Sequence, residues 1–183
     1  MENPFISICI PAYKRVEYLK RLLLSIRQQT YSNFEVIITD DSDDDSVEKL
    51  IKECNIKQTV SYYKNSPALG TPANWNFALS KAKGEWIKIM HDDDWFSEND
   101  SLGYFAKAAM NHNDSFIFSA YSNFYFSEGE KENISPSFIR LILIRKDPYS
   151  LLSQNIIGPP SVILHKNDKH FYYDTNIKWL VDI

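Results

Sequence analysis

The chain has 183 residues, 44% of them hydrophobic and 14% aromatic, which is one domain's length with enough apolar material for a core. A formal net charge of −4 and a pI near 5.6, with basic residues scattered rather than striped along one face, argue against nucleic acid as a partner. Cys9 lies in an apolar run and Cys54 has no Cys-x-x-Cys partner, so both read as buried free thiols in a reducing compartment, which favours the cytoplasm. The start, Met1-Glu2-Asn3-Pro4, lacks the basic region of a signal peptide, and nowhere do about 18 apolar residues run together.

In chain order, Phe5 to Ile10 reads as a strand closed by Pro11. Glu17 to Gln29 carries Leu19, Leu22, Leu23 and Ile26 at helical spacing and reads as an amphipathic helix. Phe34 to Thr39 is a second, near-continuous apolar strand. Asp45 with Glu48 three residues on resembles a capping box that opens a helix to about Cys54. Thr59 to Tyr63 is a third strand, and Thr71-Pro72 has the form of an N-cap followed by Pro at the first helical position, with the helix running to about Gly84. Trp86 to Met90 is the fourth strand, and Asp100 to Asn111 another helix. Beyond it the pattern loosens into the aromatic segments Phe116 to Tyr121 and Phe124 to Phe126. Glu128 to Pro136 reads as an exposed loop, and Phe138 to Ile144 as a buried strand, though it is apolar enough to touch lipid.

Strand, helix, strand, helix with short links implies a doubly wound α/β fold with a mostly parallel sheet, in which ligands bind beyond the carboxyl ends of the strands. Both acidic clusters, Asp40 to Asp45 and Asp92 to Asp94, fall at such ends. Consecutive carboxylates repel one another, and oxygen ligands at a strand end suit a hard divalent cation such as Mn or Mg, whose usual companion is a polyphosphate. The alternative is a solvated turn with a helix cap. The first cluster fails as a calcium loop, since its sixth position is Ser46 instead of Gly and its twelfth is Lys52 instead of Glu. His91, His112, His165 and His170 form no zinc pair, and there is no Gly-x-Ser-x-Gly, Gly-x-x-x-x-Gly-Lys or Gly-x-Gly-x-x-Gly. Any bound diphosphate must be held by a cation.

Ile8-Cys-Ile-Pro-Ala-Tyr-Lys14, then Val36-Ile-Ile-Thr-Asp-Asp-Ser42, then Gly70 with Asn74-Trp-Asn76 and Ala82-Lys-Gly-Glu-Trp86, then His91-Asp-Asp-Asp94 occur in order and at matching spacing. Together they resemble family 2 glycosyltransferases with the GT-A fold. The likeness covers roughly the first hundred residues, with a weaker match at Lys178-Trp-Leu-Val-Asp182. It implies a Rossmann-like, mostly parallel sheet flanked by helices, forming a single domain over residues 1–183. Residues 1–100 would be the nucleotide-sugar half and 101–183 the acceptor-side half.

By the same resemblance, Pro11 and Tyr13 line the nucleotide base site, with the Tyr13 ring against the base. Asp41 accepts a pyrimidine N–H, Asp92 takes the ribose and Asp93 is the metal ligand, while Asp94 orients the loop or caps a helix. His91 departs from the Asp that many members carry there, and Gly70 falls where some place a phosphate-contacting Arg. The implied reaction moves a sugar from a nucleotide-diphosphate donor, a UDP-sugar by preference, to a saccharide or lipid-linked saccharide hydroxyl with inversion. Asp182 would be the general base. Gly158-Pro-Pro-Ser161 and His165-Lys166 would contact the acceptor. The pathway would be surface polysaccharide or lipopolysaccharide synthesis, in the cytoplasm or at the inner face of the membrane with peripheral contact. Members usually continue past the base, whereas this chain stops at Ile183, so a C-terminally truncated fragment is expected. The rival readings are a non-catalytic nucleotide- or saccharide-binding module and a sugar-phosphate nucleotidyltransferase. The latter would want a Gly-rich loop where Pro11-Ala-Tyr-Lys-Arg15 stands.

Overall fold

The computed structural model describes residues 5–112, 115–152 and 155–177. Strands β1 (Ile6–Ala12), β2 (Phe34–Asp40), β3 (Val60–Lys64) and β4 (Trp86–Ile89) are parallel. Strand β5 (Phe116–Phe118) and the later β8 (Ile163–Lys166) complete one sheet in the order β3-β2-β1-β4-β8-β5, with β8 antiparallel to both neighbours. Such a mostly parallel sheet must be covered on both faces, which is why β1 and β2 read as almost unbroken apolar runs.

The two-residue period of a strand sorts these runs between two cores. Ile6, Ile8 and Ile10 of β1 meet Leu19, Leu22, Leu23 and Ile26 of helix α1 (Val16–Arg27), beside Leu50 of α2 (Ser46–Cys54) and Leu102 and Phe105 of α4 (Ser101–Asn111). On the opposite face Cys9, Ile37, Ile87 and Ile89 meet Ala78 and Leu79 of α3 (Ala73–Lys81). Gly84 enters β4 so close to β1 that a Cβ there would lie 2.6 Å from the Ser7 nitrogen. Its N–H instead donates to Ser7 Oγ at 2.8 Å, and that hydroxyl donates to Glu35 at 2.7 Å.

Several local expectations are corrected. No capping box forms at α2, because Asp45 makes no side-chain cap bond; Asp44 accepts the N–H and hydroxyl of Ser46, and Glu48 pairs with Lys52 at 2.6 Å. At α3 the cap position is Pro72 rather than Thr71, and the helix ends at Lys81, where Ala82 turns extended. Glu128 to Pro136 is not simply a loop: β6 (Tyr121–Tyr125) and β7 (Glu130–Ile134) form a hairpin turning through Gly129 at φ 69°. Its largely exposed strands lack the one-sided apolar alternation that marks a half-buried strand. The hairpin is tied to α1 by Arg21, whose guanidinium lies 4.7 Å from the Trp95 ring centre and 4.3 Å from that of Phe126.

Phe138 to Ile144, expected as a buried strand, is helical instead. It belongs to α5 (Phe138–Lys146), capped by Ser137 accepting the Arg140 N–H, and none of its residues is buried. Arg140 interrupts the apolar run and Arg145 ends it, and among the described residues no strand pairs with it. No described helix is long and apolar enough to cross a membrane.

Candidate active site

The carboxyl ends of β1, β2 and β4 open into a cleft of about 550 Å³. Pro11, Tyr13, Asp41, Asp92 and Asp93, the five described residues marked for nucleotide and metal, all line it. Asp182 and the Lys178–Asp182 match lie outside the described residues.

Each wall follows from local structure. After β1 the chain turns at Lys14, whose φ of 61° is unusual for a side chain with a Cβ and whose N–H donates to Ser42 Oγ at 2.9 Å. That turn leaves the Tyr13 ring 54% exposed at the rim, so it is not packed beneath the sheet edge. At the end of β2 the two neighbouring acids are held differently. Asp40 is fully buried and accepts Ser42 N–H and Tyr62 O–H, both at 2.8 Å, with Lys64 Nζ at 3.4 Å. Asp41 accepts Asn65 Nδ2 at 2.7 Å, Leu69 N–H at 3.0 Å and Gly70 N–H at 2.8 Å. Three of a carboxylate's roughly four acceptor positions are therefore filled, which fixes the 65–70 loop and leaves about one for a ligand. Asn74 joins this network, accepting Asn65 Nδ2 at 3.0 Å and donating to the Thr39 carbonyl at 3.1 Å.

The third wall is the acidic triplet after β4. Arg15 Nη1 stands 2.5 Å from Asp93 Oδ2 and 3.6 Å from Asp92 Oδ1. Burial pushes the Asp92 carboxyl up to about 6 against the pull of that guanidinium. Asp92 in turn raises Arg15 above its ordinary range. Asp94 accepts Ser161 Oγ, and the same hydroxyl accepts the His91 N–H at 3.2 Å. Asp94 does not cap α4, which begins at Ser101. One potential ligand atom from each of His91, Asp93 and Asp94 falls within 4.8 Å of the others, so His91 and Asp94 join Asp93 in the set that could hold a cation. Two carboxylates and an imidazole suit an ion that keeps further oxygen ligands from water or phosphate.

Sequence reasoning missed Arg15, Trp75 and the part of Ser161 that faces Asp94. Trp75 stands 4.8 Å from the His91 ring and 5.1 Å from that of Tyr173, and Asn76 exchanges two 2.8 Å hydrogen bonds with the Tyr173 backbone. The Asn74-Trp-Asn76 spacing was the available signal. Gly158, Pro160, His165 and Lys166 line a separate, more apolar cavity of about 400 Å³ with Phe116 and Phe171. It lacks the acidic triplet.

A family model for glycosyl transferase family 2 matches residues 7–165. WcaA of Escherichia coli (strain K12), whose name assigns it to colanic acid biosynthesis as a glycosyl transferase, is 30% identical over 181 residues, 96% of this chain and 62% of WcaA. The chain thus spans less than two thirds of that relative, and less still of the next curated relatives it matches. Among solved structures, Staphylococcus aureus TarS residues 1–349 in complex with UDP superposes with a TM-score of 0.70 at 21% identity, covering 97% of this chain and 52% of TarS. The mannosyltransferase PcManGT from Pyrobaculum calidifontis, solved with GDP-Man and Mn2+, gives 0.58 at 19%, covering 64% of this chain and 36% of that one. At these identities the structures establish the shared fold.

Proposed function

Because this chain belongs to glycosyl transferase family 2, we propose that it transfers a sugar, with inversion, from a nucleotide-diphosphate donor to an acceptor hydroxyl in surface polysaccharide synthesis. The observation that carries this reading is the convergence of Pro11, Tyr13, Asp41, Asp92 and Asp93 on one cleft. In it, the exposed Tyr13 ring stacks on the base, the remaining acceptor position of Asp41 takes a base N–H, and Asp92 takes the ribose. His91, Asp93 and Asp94 hold Mn or Mg, with the imidazole favouring Mn. Such a cation, when bound, neutralises charge on the leaving diphosphate. UDP is the nucleotide proposed first, and the TarS complex with UDP supports it.

Residues 1–100 form the donor half in this scheme, and residues 101–183 the acceptor side, with Asp182 as the base that takes the acceptor's proton. The acceptor is a saccharide or lipid-linked saccharide. Cytoplasmic work at the inner face of the membrane belongs to the same proposal, supported by the exposed Phe138, Ile139 and Leu143 beside Arg140 and Arg145; co-sedimentation with anionic vesicles tests it.

Calorimetric titration with UDP, in Mn and in EDTA, tests the core of the reading. Affinity should be about ten- to a hundredfold higher with Mn, the size of one charge-assisted contact. Asp93→Ala should erase the difference. Equal binding in both buffers would remove the metal from the proposal, and no binding in either would remove the donor.

A further inference from the structure

We infer that Arg15 is the internal counter-ion of the cleft, released from Asp93 by the incoming divalent cation to take the donor's diphosphate. The inference rests on the proposed function and goes beyond it by assigning the anion contact.

Among the described residues lining the cleft, Arg15 is the sole Lys or Arg. Lys14, next to it in the chain, is directed to Asp43 at 3.1 Å. Gly70 closes the opposite wall with a backbone at φ 72° and no side chain to offer. A diphosphate entering this space meets Asp41, Asp92 and Asp93, and one divalent cation cannot offset both those carboxylates and the phosphates.

The position of Arg15 suits an exchange. Its guanidinium sits against Asp93 Oδ2, on a carboxylate a cation would need, so the two positive groups compete for it. The side chain is about half exposed, and so is Asp93, so their pair is screened by water and readily broken. Asp92 is largely buried, so its 3.6 Å pairing with Arg15 keeps the guanidinium near the cleft after Asp93 is taken. A planar guanidinium offers two parallel N–H donors to phosphate oxygens, a geometry a lysine cannot copy.

The test uses Arg15→Gln and Arg15→Lys in the whole chain, with melting curves to show that each is folded. Mn alone is titrated first, followed by electron paramagnetic resonance of the free ion. Without the competing charge, Arg15→Gln should bind Mn several-fold more tightly than wild type. Inorganic pyrophosphate is then titrated at saturating Mn, where the same variant should bind about tenfold or more weakly. Arg15→Lys should keep wild-type Mn affinity while losing most of the pyrophosphate gain. Unchanged or weaker Mn binding by Arg15→Gln overturns the inference, as does unchanged pyrophosphate binding or a wild type that binds no Mn. Both effects in Arg15→Gln alongside a wild type that takes no UDP would leave Arg15 in its place and remove the nucleotide-sugar reading.

Discussion

Lys88 projects from β4 into the core shared with α4, where an alternating strand calls for an apolar side chain. It is 1% exposed, its Nζ lies 3.9 Å from the centre of the Phe105 ring, and it donates to the Ser161 carbonyl at 2.6 Å and more distantly to that of Ile163 at 3.5 Å. Burial pulls its amine down to about 7, against an ordinary value near 10.5, with Asp94 opposing the fall. The unfolded chain therefore binds this proton up to about pH 10.5 and the folded chain only up to about 7. Between those values the unfolded state holds more protons, so stability rises with pH, and below about 7 the full cost of a charged buried amine remains, on the order of 5 kcal/mol. Lys88→Met fills similar space and removes that cost, but leaves carbonyls unsatisfied at about 1 to 3 kcal/mol. Urea unfolding at pH 6 should show the variant more stable by about 2 to 4 kcal/mol, the difference shrinking by roughly 1.4 kcal/mol per pH unit above 7 and reversing between about pH 8.5 and 10. Cys9, whose thiol burial pushes far up, tilts both curves the other way above about pH 8.5 and cancels in their difference. A difference that stays flat from pH 7 to 9.5, or a less stable variant at pH 6, would show that the carbonyls, Phe105 and Asp94 already compensate the charge.

The remaining expectations concern the cleft and its supports. Tyr13→Ala should lose roughly 0.5 to 1.5 kcal/mol of UDP binding by calorimetry while Tyr13→Phe keeps it, with melting unchanged in both because the ring is at the rim. Asp92 titrates near 6 in the fold and near 3.8 unfolded, so stability falls as pH rises through that window; Asp92→Asn should be about 1 to 3 kcal/mol more stable at pH 7.5 by urea titration, yet bind UDP more weakly. Gly84→Ala drives a Cβ against the Ser7 nitrogen and should cost about 2 to 3 kcal/mol in the same assay. Asp182→Asn should lower transfer by about 10² to 10⁴ with donor affinity kept within a few-fold, provided the assay uses a form of the protein that is active.

What was legible in the sequence tracks how many constraints each residue carried. Ile6, Ile8 and Ile10 had to alternate with Ser7 and Cys9, and Leu19, Leu22, Leu23 and Ile26 had to share a helical face, so the first four strands and their helices read off within a few residues of their ends. Helix α5 and the β6–β7 hairpin carry no buried face, and an apolar or polar run with nothing packed on it gives periodicity nothing to report. The same limit applies within the cleft. Tyr13, Asp41, Asp92 and Asp93 sit within four residues of a strand's carboxyl end, where strand direction fixes their location, whereas Arg15 reaches the site through a long side chain whose course depends on the Lys14 turn.

The two acidic turns show where a sequence stops being informative about charge. Asp40-Asp41 and Asp92-Asp93 look alike as letters, both at the carboxyl end of a strand of the same sheet. At the first turn Asp40 receives Ser42, Tyr62 and Lys64, and Asp41 receives three N–H groups, so these carboxylates are committed to holding β2, β3 and the 65–70 loop together. At the second, Asp92 is buried with a raised pKa, and Asp93 relies on a half-exposed arginine. A charge that the fold has already satisfied gains little from a ligand, while one left against a replaceable partner gains a good deal. In the proposed function the metal chemistry accordingly falls to the second turn, and the first contributes through Asp41 mainly by setting the wall against which a ligand rests.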